Sequence, residues 1–132
     1  MTTARDILQS VTIEPTFDID ELATVLQALS DLDRDSTSCA VAMTAGGGGV
    51  LSATRAALDA ADIAATAGRV LARGEASDLT VVRAVLEAAA VAAERSAREC
   101  GAHAEHSEHC RIHSESASRA ADLLRSQISS LG

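Results

Sequence analysis

Leu22, Val25, Leu26, Leu29 and Leu32 recur at spacings of three and four, and the same line runs on through Ser36, Cys39 and Met43. Such a run is the signature of one buried face on a long α-helix. Three further lines follow it. Ala53, Ala57, Ala60, Ala64, Ala67 and Leu71 form the second. Val82, Val85, Ala89, Ala93, Ser96, Cys100 and His103 form the third. Cys110, His113, Ala117, Ala120, Leu124 and Leu131 form the fourth. Alanine fills 28 positions and proline only one, Pro15. Alanine is the best helix former and proline the worst, so composition agrees with the spacing. Aromatic residues are 1% of the chain, which argues against a β-sandwich built on aromatic pairs and against a base-stacking surface.

Breaks at Gly46–Gly49, at Gly74 to Asp78 and at Gly101 separate these lines. They leave helices near 19–44, 50–73, 78–103 and 105–130. Asp18 with Glu21 is a capping-box-like start, Gly74 fits the C′ position of the second helix, and Ser77 or Asp78 caps the third. Residues 1–17 form a short leader with a turn or two of helix, Ala4 to Val11, ended around Pro15. The expected fold is all-α: an antiparallel up-down-up-down four-helix bundle over residues 18–132.

This topology sorts the chemistry. The first helix ends, and the second begins, at the glycine tetrad. The third helix ends and the fourth begins at the same end of the bundle, here called the mouth. Cys39, Met43, Cys100, His103, His106, His109, Cys110 and His113 all belong to it, including every cysteine and histidine of the chain. Cys39, Cys100 and Cys110 are expected in one layer about 6–8 Å deep. His103 and His113 are the expected fourth ligands, His106 and His109 are nearer solvent, and Met43 is a neighbouring thioether. Thiolate, thioether and imidazole suit Cu(I), and three Cys with one His is a familiar Zn²⁺ set. Oxidation of the thiols is a further reading.

Other functions find less support. A net charge of −8 disfavours nucleic acid and anionic membranes as partners. All eleven basic residues are arginine, so Schiff-base and P-loop lysine chemistry is absent. Gly46–Gly49 is followed by no Lys-Ser/Thr pair. No Glu-x-x-His pair has the spacing of a di-iron bundle. Asp31, Asp33 and Asp35, like Asp59 and Asp62, read as solvated faces. No stretch reads as a signal peptide or a membrane span, so the chain is expected to be cytosolic.

The stretch from Val82-Arg83-Ala84-Val85-Leu86-Glu87-Ala88 through Glu99-Cys100 and His103 to Glu108-His109-Cys110-Arg111 resembles the cysteine-rich four-helix-bundle copper storage proteins of the cytosolic bacterial type. Ala67-Gly68-Arg69-Val70-Leu71-Ala72-Arg73 fits as well, and the resemblance covers roughly residues 18–126. It implies a bundle lined with cysteines that hold many Cu(I) ions, histidines at one open end, and a homotetramer. The chain departs from that pattern: Val25, Leu29, Leu32, Ser36, Ala60, Ala64, Ala89, Ala93, Ser96, Ala117, Ala120 and Leu124 stand where thiols are expected. The expected function is therefore a cysteine-poor relative that binds one or a few Cu(I), or a Zn²⁺, at the mouth. The alternatives are a small-molecule enzyme using the same Cys/His cluster and a metal-free scaffold. The absence of a catalytic motif weighs against the enzyme.

Overall fold

The computed structural model describes residues 3–10, 18–46, 51–74 and 78–131. They form five helices: α1 (Ala4–Ser10), α2 (Ile19–Ala45), α3 (Leu51–Leu71), α4 (Leu79–Gly101) and α5 (Glu108–Ser130). No strand occurs among the described residues. The four long helices pack in a square, α2 against α3, α3 against α4, α4 against α5 and α5 back against α2. Helices α2 and α4 therefore face each other across the diagonal, as do α3 and α5. No helix is long and apolar enough to cross a membrane.

The caps explain the boundaries. The Asp18 side chain accepts from the Glu21 amide at 3.0 Å, and Asp78 accepts from Thr80 and Val81 at 2.8 and 3.2 Å. Both satisfy first-turn donors that the helix itself leaves unpaired. Gly74 has φ of 64°, the left-handed conformation that ends a helix without a Cβ clash. Three expected features, Val11, Pro15 and the Ser77 cap, lie outside the described residues, as does Gly47–Gly49 of the tetrad.

Three boundaries need correction. α3 ends at Leu71 rather than Arg73, because Arg73 already bonds back three residues, to Val70. α4 ends at Gly101 rather than His103. At Gly101 a Cβ would lie 3.1 Å from Ser114 Oγ, so glycine lets α4 and α5 come close where they diverge into the loop. α5 begins at Glu108, not Glu105, because Ser107 is the N-cap and its hydroxyl accepts from the Cys110 amide at 3.4 Å. His103 and His106 accordingly sit in the α4–α5 turn.

The core has two parts. From the closed end to mid-bundle it is aliphatic: Leu22, Val25, Leu29, Leu32, Leu71, Val82, Leu86 and Leu124, with alanines between them, are all at least nine-tenths buried. The leader helix α1 joins this part through Leu8, and Arg5 pairs with Asp20 at the start of α2. Alanine lines nearly the whole buried face of α3, which lets the backbones approach closely. Near the mouth a second buried cluster contains Cys39, Ala40, Met43, Ala53, Ala57, Cys100 and Cys110. Arg125 of α5 ties to Glu94 of α4 through two bonds of 3.2 and 2.7 Å and reaches Glu87 at 2.5 Å. Asp59 is exposed and paired with Arg95, and Asp62 is exposed, as expected.

Candidate metal centre

Three helices bring the thiols together from different depths. Cys100 is the penultimate residue of α4 and Cys110 the third of α5. Cys39 lies six residues before the end of α2, about 9 Å along its axis. α2 is the longest helix, with 27 residues, and its last turns overhang the mouth. Met43 lies on this overhang, buried in the same cluster as the thiols. Its sulfur is 4.0 Å from the Thr54 hydroxyl.

One ligand atom each from Cys39, His109 and Cys110 lie within 4.8 Å of one another. Bonds near 2.3 Å from a single soft ion reach donors about 4.6 Å apart, so these three side chains suit a shared ion with little movement. Cys100 is the third thiol, fully buried in the same cluster as Cys39 and Cys110. All three cysteines are free and buried.

Cys39 and Cys100 influence each other's titration. Hydrogen bonding from Cys39 lowers the pKa of Cys100 against the opposing effect of burial, with smaller help from Ser96 and Cys110. Cys39 is pushed up, first by the same hydrogen bond to Cys100 and then by desolvation. Loss of one proton from the pair thus makes the second harder to remove. A metal cation reverses that penalty by replacing the protons with positive charge.

The histidines divide. His109 is half-buried and reaches the thiols, and its Nδ1 lies 3.0 Å from Ser107 Oγ. Ser107 is the residue that sequence reading missed. The Ser107-x-x-Cys110 cap pattern carried the signal, but a helix started at Glu105 hid it. His103 is half-buried and His106 exposed, both in the turn above the thiols. His113 is one turn deeper than Cys110 and buried, with Nε2 2.8 Å from Ser96 Oγ. Burial lowers its pKa, partly offset by the Asp35 carboxylate. Of the two expected fourth ligands, His113 is engaged by Ser96 and His103 sits in the turn, while the imidazole placed with Cys39 and Cys110 is His109, which was expected nearer solvent.

Ser36, Ser96 and His113 form a buried polar layer between the thiol cluster and the aliphatic core. Ser36 Oγ and His113 Nδ1 have no partner there. Beneath this layer the described interior offers no thiol or imidazole.

The copper storage protein family matches residues 20–127 of this sequence. The chain belongs to the copper storage protein family. Its fold is that of solved family members. The copper storage protein Ccsp from Streptomyces lividans, loaded with 10 copper equivalents, superposes with a TM-score of 0.88 at 26% identity. That match covers 96% of this chain and 98% of the other. A single histidine-to-alanine variant of the same protein gives 0.80 at 28% identity, over 87% and 98% of the two chains. The cytosolic copper storage protein from Streptomyces lividans, in a form with five coppers, gives 0.79 at 27%, over 86% and 96%. None of the curated proteins compared with the chain matches it. Within the copper storage family this member is poor in cysteine, with three thiols, all at the mouth.

Proposed function

We propose that this chain takes up copper, as Cu(I), at the mouth of the bundle and holds one or a few ions rather than a large store. The observation that carries this reading is the convergence of Cys39, His109 and Cys110, from α2 and α5, on one point beside Cys100. Thiolates favour Cu(I), and each ion needs about two of them, or one with an imidazole or thioether. Three thiols therefore set a low ceiling. The Streptomyces lividans protein loaded with 10 copper equivalents lies well above it.

In this reading His103 and His106 are outer contacts for an arriving ion. Met43 is a reserve thioether beside Cys39, and His113 is a deeper imidazole behind the site. Zn²⁺ is the alternative ion for the same donors. Residues 18–132 are the metal-binding unit and residues 1–17 a leader. The chain works in the cytosol, as the cytosolic name of its Streptomyces lividans relative supports. It assembles as a homotetramer, a reading supported by the exposed apolar Val41, Leu51 and Leu58 on α2 and α3.

Copper retention after desalting tests this reading. The wild type is expected to retain copper and the triple variant Cys39→Ser/Cys100→Ser/Cys110→Ser to retain none. Equal retention by the two would place the copper elsewhere and refute it.

A further inference from the structure

The three thiols lie close enough to react with one another as well as with a metal. We infer that the copper-free cluster is a redox modification site: hydrogen peroxide converts Cys39 and Cys110 into a disulfide that staples α2 to α5 and closes the metal site. This deepens the proposed copper reading, since the oxidised residues are two of the three converging donors.

Topology selects the pair. A disulfide requires Cα atoms about 4.4–6.8 Å apart. Cys39 on α2 and Cys100 on α4 lie on diagonal helices, whose backbones stand farther apart than those of neighbours around the square although both thiols belong to one buried cluster. Cys110 on α5 is on a helix adjacent to both. Any bridge between neighbouring helices must therefore include Cys110. Its ligand atom and that of Cys39 lie within 4.8 Å of each other, in a group with His109 that does not include Cys100. The α2–α5 seam is also the least closely packed of the four. Clefts of about 280 and 260 Å³ open along it, lined by Val25 and Gln127 and by Leu32 and Ser116. The mouth above is rimmed by half-buried His103, Ala104 and His109, the rim an oxidant must pass to reach the buried sulfurs.

The chemistry balances in two steps. One sulfur attacks the peroxide. An S–O bond forms, the O–O bond breaks, the thiol proton leaves with the departing oxygen as water, and a sulfenic acid remains. The second sulfur then attacks that sulfur. The S–S bond forms, the S–O bond breaks, and the hydroxyl leaves with the second thiol proton as a second water. Two thiols are oxidised by two electrons and one peroxide is reduced. Cys100 stays a thiol, and a dithiol reductant reverses the change.

Metal-free chain treated with one equivalent of hydrogen peroxide provides the test. Free thiols should fall from three to one per chain, the mass should drop by two hydrogens, and peptide mapping should join Cys39 to Cys110. Cys100→Ser should still form the bridge and Cys110→Ser should form no bridge within the chain. Mapping of the wild type decides the matter even if a variant fails to fold. Three surviving thiols, a Cys39–Cys100 or Cys100–Cys110 bridge, sulfinic acid, or a bridge between chains would each overturn the inference. In a second arm, oxidised chain should take up about two-thirds less Cu(I) than reduced chain, in proportion to the thiolates lost, and recover on reduction. If the bridge maps correctly but reduced chain takes up no copper, the proposed function fails while the oxidation chemistry stands.

Discussion

The two halves of this bundle use the same helices for different ends. Toward the closed end, Leu22, Val25, Leu29, Leu32, Leu71, Val82, Leu86 and Leu124 fill the space between alanines and stabilise the fold by burial. Toward the mouth, the same inward lines carry Cys39, Cys100 and Cys110, with His109 beside them. Between the halves lies the polar layer of Ser36, Ser96 and His113. The contrast teaches that stability and metal chemistry have been separated along the axis. The aliphatic half holds the mouth residues in place without offering a soft ligand of its own.

The largest test of that separation is a cavity in the aliphatic half. Leu29→Ala should cost about 2–5 kcal/mol of stability, read from urea unfolding, and leave the copper stoichiometry of the folded fraction unchanged. Leu29 is 1% exposed, so it has no solvent-side relief. Cys100→Ala is the mirror experiment. It removes a small side chain and should cost far less stability, yet it should weaken copper binding. If both substitutions moved both properties alike, the two halves would not be separable.

The next effect concerns the closed end alone. Gly74→Ala forces a Cβ into φ of 64°, with Leu8 Cδ2 3.4 Å away. It should cost about 1–2 kcal/mol in thermal or urea unfolding and leave the thiols as reactive as before.

Much of this division was legible in the sequence. The three-and-four spacing from Leu22 to Met43 fixes a long helix with one buried face. The alanine line from Ala53 to Ala67 marks a second helix whose buried face packs closely on its neighbours. The up-down connectivity then sends every Cys and His to one end. Finer placement was not legible. Whether α5 starts at Glu105 or Glu108 depends on Ser107 winning the N-cap position, and that shift moves His106 into the turn. Which imidazole meets the thiols depends on a hydrogen bond between helices: Ser96 engages His113, and His109 remains beside Cys39 and Cys110. Spacing along one helix carries no information about such a partner on another.

The polar layer adds a pH dependence. Burial holds His113 below the ordinary histidine pKa of about 6.5. The unfolded chain therefore takes up that proton first as pH falls. Stability contributed by neutral His113 is complete above about 6.5 and is lost as pH drops from there toward the lowered folded value. Urea midpoints should fall from neutral to mildly acidic pH, and His113→Asn should flatten that slope. The smallest expected effect is at Arg125, whose bonds to Glu87 and Glu94 are partly exposed. Arg125→Ala should lower the unfolding midpoint slightly at low salt, and the difference should vanish at high salt.

The central claim is low capacity at a single end, and the direct measurement is a Cu(I) titration of the reduced wild-type chain against a competing chelator. Saturation is expected at a few equivalents per chain, no more than about one ion per thiolate. Uptake near the 10 equivalents named for the Streptomyces lividans protein would contradict it, because the aliphatic core would then have to hold copper without thiols.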